Sequence, residues 1–292
     1  MSRATLISKV VLFVGLAIGF MPMPAGARVL GEDERRAPGA EDAQLIRAIG
    51  LVFCSGEFDG RRRVGAGTGT IVGSRSTILT AAHVFTDPEG RQGPRVEFDP
   101  VTDCTFRQYD VRGELLHETD FSHASIGAYR QSGRDPNQDW AVLRTAEPMP
   151  ATSEPLPFAT VLTDSDELAG LRIRMLAFHR DVGARNRLPL LSEGSLLDVD
   201  YGGYPRLAHT ADMERMSSGA AIVHLTGDGM NVVVGINRSA ATLADFNLAV
   251  PLSPELLATL QSFAHGRVPT PRQLLASSRS GTLPRSHTPP TQ

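Results

Sequence analysis

The sequence predicts an all-β protein: a double six-stranded antiparallel β-barrel followed by a C-terminal helix. Short runs rich in Val, Ile, Leu and Thr alternate with Gly, Pro, Ser and Asp turn signals along most of the chain. Aromatic residues make up only 6 %, while Gly and Pro number 28 and 20, a balance that suits many short strands better than packed helices. The runs also divide into two sets around the proline-rich joint Glu147-Pro148-Met149-Pro150. Two sheets, each closed on itself, leave no unpaired edge, and 292 residues provide enough chain for both.

Taken in order, residues 1–27 read as a secretory signal. Arg3 and Lys9 form its charged start, Val10 to Phe20 its apolar core, and Ala25-Gly26-Ala27 a small-residue cleavage site. The apolar run is short for a membrane span. The working protein is therefore expected to be secreted or periplasmic, with no membrane attachment after cleavage. Residues 28–150 are assigned to an N-terminal segment and the first barrel, with strands at Ala48–Cys54, Gly67–Val72, Ser76–Thr80, Arg95–Phe98, Asp110–His117 and Trp140–Thr145. Residues 151–266 hold the second barrel, with strands at Leu171–Phe178, Leu190–Asp198, Arg206–Thr210, Ala220–Leu225, Val232–Ile236 and Leu248–Pro251. Ser253-Pro254 then opens the helix, serine as cap and proline at its first position, running to about Ala264. Residues 267–292 are rich in Pro, Ser, Thr and Arg, cannot bury enough surface to offset ordering, and are expected to be disordered.

The formal charge of −3 becomes about −5 once Arg3 and Lys9 leave with the signal. Neither nucleic acid nor an acidic membrane gains electrostatic support as a partner. The single basic run, Arg61-Arg62-Arg63, reads as a solvated hairpin tip. The two cysteines, Cys54 and Cys104, lie in an exported chain, where a disulfide forms and persists. Two zinc-binding thiolates are the alternative, but no Cys-x-x-Cys or paired histidine accompanies them. His117, His123, His179, His265 and His287 make no ligand spacing, so no metal and no cofactor is expected, and the chain is expected to be a monomer.

The chemistry centres on Thr80-Ala81-Ala82-His83, which follows the strand–turn–strand signal from Gly67 to Leu79. A histidine just past a strand end is either a satisfied structural residue or a general base held by a rigid sheet. Two later stretches favour the base. Asp139 heads the apolar run Trp140-Ala141-Val142-Leu143, and Ser217-Ser218-Gly219 makes a tight turn into Ala220-Ala221-Ile222-Val223. Serine is a poor nucleophile at neutral pH and needs such a base, itself held in one tautomer by an anion.

Residues 29–264 resemble the trypsin-like serine proteases of the chymotrypsin fold, in which Thr-Ala-Ala-His, an Asp before an apolar strand and Ser-Gly recur in this order. The stretch from Arg28 to Arg36 resembles the mature start of the bacterial glutamyl-endopeptidase-like branch. The resemblance implies a serine endopeptidase acting on protein or peptide substrates through an acyl-enzyme, with His83 as base and acid, Asp139 as its orienter and Ser218 as nucleophile. Ser217 is the competing serine, but Ser218 is the one directly before Gly219. Ser217 also occupies the place of the aspartate that receives a freed amino terminus in many relatives, so activation of that kind is not expected. Val84 stands where many relatives have a cysteine, which excludes their usual bridge.

The sequence departs from the family at the oxyanion hole. Its donors would be the amides of Ser218 and of Met216, where relatives carry glycine. A side chain there is expected to hinder the inward turn of the amide. Met213 and Asn237 replace the threonine and histidine of glutamate-specific relatives, and Asp212 matches the trypsin carboxylate that recognises Arg or Lys; these three are the candidate substrate-binding residues. His209 and His224 fall within expected strands and read as structural. The rival to an active enzyme is a catalytically inactive homologue serving as a secreted binding protein.

Overall fold

The computed structural model describes residues 29–86, 97–128, 135–159, 168–181, 187–200, 205–240 and 244–267. The leader read at 1–27 and, apart from Arg267, the tail read at 267–292 lie outside them. The first barrel comprises β1 (Ile49–Phe58), β2 (Arg61–Ile71), β3 (Thr77–Thr80), β4 (Cys104–Tyr109), β5 (Leu115–Ile126) and β6 (Ala141–Thr145), closed in the order β1-β2-β3-β6-β5-β4. The second comprises β7 (Arg172–Phe178), β8 (Pro189–Asp200), β9 (Pro205–His209), β10 (Ala221–Leu225), β11 (Asn231–Ala240) and β12 (Asn247–Pro251). It closes as β10-β11-β12-β9-β8-β7, the same path as the first. All the strand pairs are antiparallel.

Local chemistry explains where the expected strands moved. The β1–β2 hairpin turns at Asp59-Gly60, both at positive φ (52° and 69°), as a two-residue turn of right-handed strands requires. Arg61, Arg62 and Arg63 therefore begin β2 instead of forming the tip, and Arg62 sits opposite Glu57. Of the strand expected at Arg95–Phe98, the first two residues lie outside the described ones, and Glu97 makes an isolated bridge to Thr86. The fourth strand is Cys104–Tyr109, whose buried Cys104 and Phe106 alternate with Thr105 and Arg107 and so never form a continuous apolar run. Asp110, expected to open a strand, instead caps a turn through Oδ1, which accepts from the amides of Arg112 and Glu114 at 2.9 and 2.8 Å. Cys54 and Cys104 face each other on β1 and β4 and are joined by a disulfide.

Among the described residues the helices longer than one turn are α1 (Ala43–Ala48), not foreseen in the sequence, and α2 (Pro254–Ala264). Ser253 caps α2 by accepting from the Leu256 amide, and the spacing of Leu256, Leu260 and Phe263 turns one face into the core. That core runs through both barrels, from Val52, Ile78 and Phe106 to Leu176, Val233 and Val250. The N-terminal segment crosses to the second barrel, where Arg36 exchanges two backbone hydrogen bonds with Leu191 in β8, at 2.9 and 2.8 Å. Among the described residues no helix is long and apolar enough to cross a membrane.

Candidate active site

His83 lies on a single 3-10 turn, Ala82–Phe85, directly after β3. Asp139 follows another, Pro136–Gln138, and precedes β6. Because β3 and β6 are paired, with Thr80 opposite Ala141, their neighbouring ends bring the two residues together. Asp139 is fully buried. Its Oδ2 lies 2.8 Å from His83 Nδ1 and its Oδ1 accepts the His83 backbone amide at 2.9 Å. Arg238, near the end of β11, adds a third bond, Nε donating to Oδ2 at 3.1 Å. Burial alone would push the Asp139 carboxyl up; His83 and then Arg238 outweigh it and hold the group below the ordinary carboxylate range. An ionised carboxylate can only accept, so Nδ1 carries a proton, and in the neutral imidazole Nε2 is then the acceptor.

Ser218 occupies the turn between Ser217 and Gly219. Gly219 is at φ 88°, and a Cβ there would collide with Thr80 Oγ1 and the Thr68 carbonyl, which accounts for Gly at this position. The Ser218 hydroxyl donates to the Arg238 carbonyl at 3.1 Å, and its own carbonyl accepts from the Thr68 amide at 2.9 Å. Arg238 thus touches Ser218 through its backbone and Asp139 through its side chain. Gly67 provides a second measure of proximity. A Cβ on it would meet Val84, next to His83, at 2.5 Å and the Ser218 carbonyl at 2.8 Å.

Met216 stands at φ 78°, a conformation that favours glycine. A side chain is thus carried at a backbone position that glycine adopts more readily. Ser217 is buried, donating its hydroxyl to the Glu214 carbonyl at 2.6 Å and accepting from Asn237 Nδ2 at 3.0 Å.

The three residues singled out for substrate binding are all buried and engaged internally. Asp212 Oδ1 and Oδ2 accept from the amides of Leu30 and Glu34 at 2.7 and 2.9 Å, so its carboxylate holds the N-terminal segment. Met213 packs against Met175, Ala177 and Ala220. Asn237 joins Ser217 to His209, whose Nε2 lies 3.1 Å from Asn237 Oδ1. Burial pushes His209 down to about 4, leaving it a neutral structural ring. His224 also serves structure, its Nδ1 2.9 Å from the Arg172 carbonyl.

Two residues of this site were not singled out from the sequence. Arg238 directly follows the Gly235-Ile236-Asn237 run, and Thr68 lies in the Gly67-Thr68-Gly69-Thr70 strand leading to His83. Neither side chain carries a signal of its own, since each matters through partners distant in sequence.

Two like-wound antiparallel barrels with an aspartate-bound histidine and a Ser-Gly turn define the chymotrypsin-type serine peptidases as a class. The trypsin-like peptidase domain matches residues 67–236, and the chain belongs to that family. No curated protein matches it. Among solved structures, a Glu endopeptidase is similar at 16 % identity and TM-score 0.61, over 81 % of this chain and 99 % of that one. The protease Anisep from Arthrobacter nicotinovorans is similar at 13 % identity and TM-score 0.56, over 75 % and 96 %. A thermostable serine protease, AL20, from an extremophilic microorganism is similar at 16 % identity and TM-score 0.54, over 78 % and 98 %. At these identities the likeness is one of fold.

Proposed function

We propose that this chain is an exported serine endopeptidase working through His83, Asp139 and Ser218. The observation that carries the reading is the imidazole held through Nδ1 by buried Asp139, on a ring whose side chain is 29 % exposed. In this mechanism the Ser218 hydroxyl leaves the Arg238 carbonyl by rotating about Cα–Cβ. It attacks the scissile carbonyl carbon while its proton passes to His83 Nε2. The carbonyl electron pair moves onto oxygen, where the Met216 and Ser218 amides stabilise it. The imidazolium, balanced by Asp139, then protonates the leaving nitrogen; the C–N bond breaks and an acyl-enzyme remains. Water, activated by the same ring, repeats the sequence and releases the carboxylic acid.

Export rests on the leader read at 1–27, and the disulfide supports it, since such bonds persist in oxidising compartments. With both Asp212 oxygens occupied by backbone amides, selectivity for Arg or Lys is not part of the proposal. The binding-protein reading draws on one observation, the Ser218 hydroxyl bonded to the Arg238 carbonyl.

Fluorophosphonate labelling of the secreted chain decides between them. Labelling is expected on Ser218, to vanish in Ser218→Ala and to persist in Ser217→Ala, whose hydroxyl is tied to the Glu214 carbonyl. A folded chain that does not label leaves the binding-protein reading in its place.

A further inference from the structure

The backbone around Met216 is fixed from both sides. The Arg215 carbonyl accepts from the Arg180 amide at 2.8 Å. Because a trans peptide points its N–H opposite to its C=O, this bond also sets the direction of the Met216 N–H. On the other side of the Met216 Cα, the Met216 carbonyl accepts from Thr68 Oγ1 at 2.9 Å. With both peptides pinned, the torsion between them is held at φ 78°.

Thr68 is fully buried on β2. Its Oγ1 accepts from the Phe178 amide at the end of β7 at 3.0 Å, which directs its own proton to Met216. Its amide donates to the Ser218 carbonyl at 2.9 Å, and its carbonyl accepts from Thr80 Oγ1 at 2.8 Å. One residue of the first barrel therefore hydrogen-bonds the carbonyls of both Met216 and Ser218, the former 148 residues away in sequence.

We infer that Thr68 is a positioning residue whose hydroxyl clamps the Met216 carbonyl, letting a non-glycine residue stay at positive φ and present its amide to the oxyanion. The catalytic part of this inference rests on the proposed endopeptidase reading. The clamp itself is a statement about backbone geometry and can be tested separately.

The test combines crystal structures with kinetics. In the unmodified chain, crystallography should find Met216 at positive φ with its carbonyl on Thr68; any other arrangement overturns the inference whether or not a variant folds. Thr68→Val removes the hydroxyl at nearly constant shape. Its structure should show Met216 leaving positive φ, with the fluorophosphonate labelling rate and kcat falling on the order of 100-fold, the scale of losing one oxyanion donor, while KM changes little. Thr68→Ser should keep the wild-type rate, and Thr68→Val with Met216→Gly should regain much of it, because glycine holds positive φ unaided. A merely structural threonine would not be rescued by glycine at residue 216. Met216 still at positive φ in Thr68→Val, with an unchanged labelling rate, would reject the clamp. An unmodified chain that keeps this geometry yet never labels supports the clamp and ends the endopeptidase reading.

Discussion

Arg238→Met tests the electrostatics of the site most directly, because methionine keeps much of the stem and removes the charge. The guanidinium Nε lies 3.1 Å from Asp139 Oδ2, and the side chains are 19 % and 1 % exposed. At an effective dielectric of about 20, opposite charges at that separation attract by roughly 5 kcal/mol. Desolvation and the partial exposure of Arg238 reduce the net coupling to about 2–3 kcal/mol. A double-mutant cycle with Asp139→Asn, read by urea unfolding at neutral pH, isolates this term from the other contacts of Arg238. The coupling should also depend on pH. The folded Asp139 carboxyl is held below its ordinary value, so its stabilising contribution is present above the unfolded value near 4 and lost as pH falls through the folded one. Arg238→Met removes part of that depression. Its destabilisation should therefore be greatest at neutral pH and disappear in acid, where Asp139 is protonated in both chains. A coupling below about 0.5 kcal/mol, or one that survives in acid, would refute this account of the pair.

Two other outcomes are expected. Replacing Cys54 and Cys104 with alanine should cost about 4 kcal/mol in urea unfolding for the 50-residue separation on the chain-entropy model, and a non-reduced digest should show the pair cross-linked; free thiols in the secreted chain would reject the bond. Burial pushes His179 and His209 down to about 4, so the unfolded chain takes up their protons first, and stability should fall by up to about 3 kcal/mol per ring as pH drops from about 6.5 to 4. His179→Leu should flatten that slope, and an unchanged slope would remove His179 from the account.

The local pattern was informative wherever one segment carries its own signal. Ile78 and Leu79 in β3, Val142 and Leu143 in β6 and Ile222 and Val223 in β10 are continuous apolar runs, legible because both faces of these strands are buried. The His83 turn after β3, the Ser253-Pro254 start of α2 and the Gly219 turn were readable for the same reason: each depends on its immediate neighbours. Cys104–Tyr109 was missed because alternating burial with Thr105 and Arg107 resembles an exposed stretch unless its partner strand is known.

The sequence by itself determined the barrel pair, the order of His83, Asp139 and Ser218, and the presence of a methionine where the oxyanion loop of relatives has glycine. Side-chain period, turn chemistry and residue type are properties of a few adjacent positions. Only the tertiary structure decided how those residues are used. It placed Met216 at positive φ under the Thr68 hydroxyl, turned the Asp212 carboxylate onto Leu30 and Glu34, and set Arg238 against Asp139. Each depends on a hydrogen bond between segments far apart in the chain. A buried polar group finds its partner in space once the barrels close, and its choice leaves no period or motif in the local sequence.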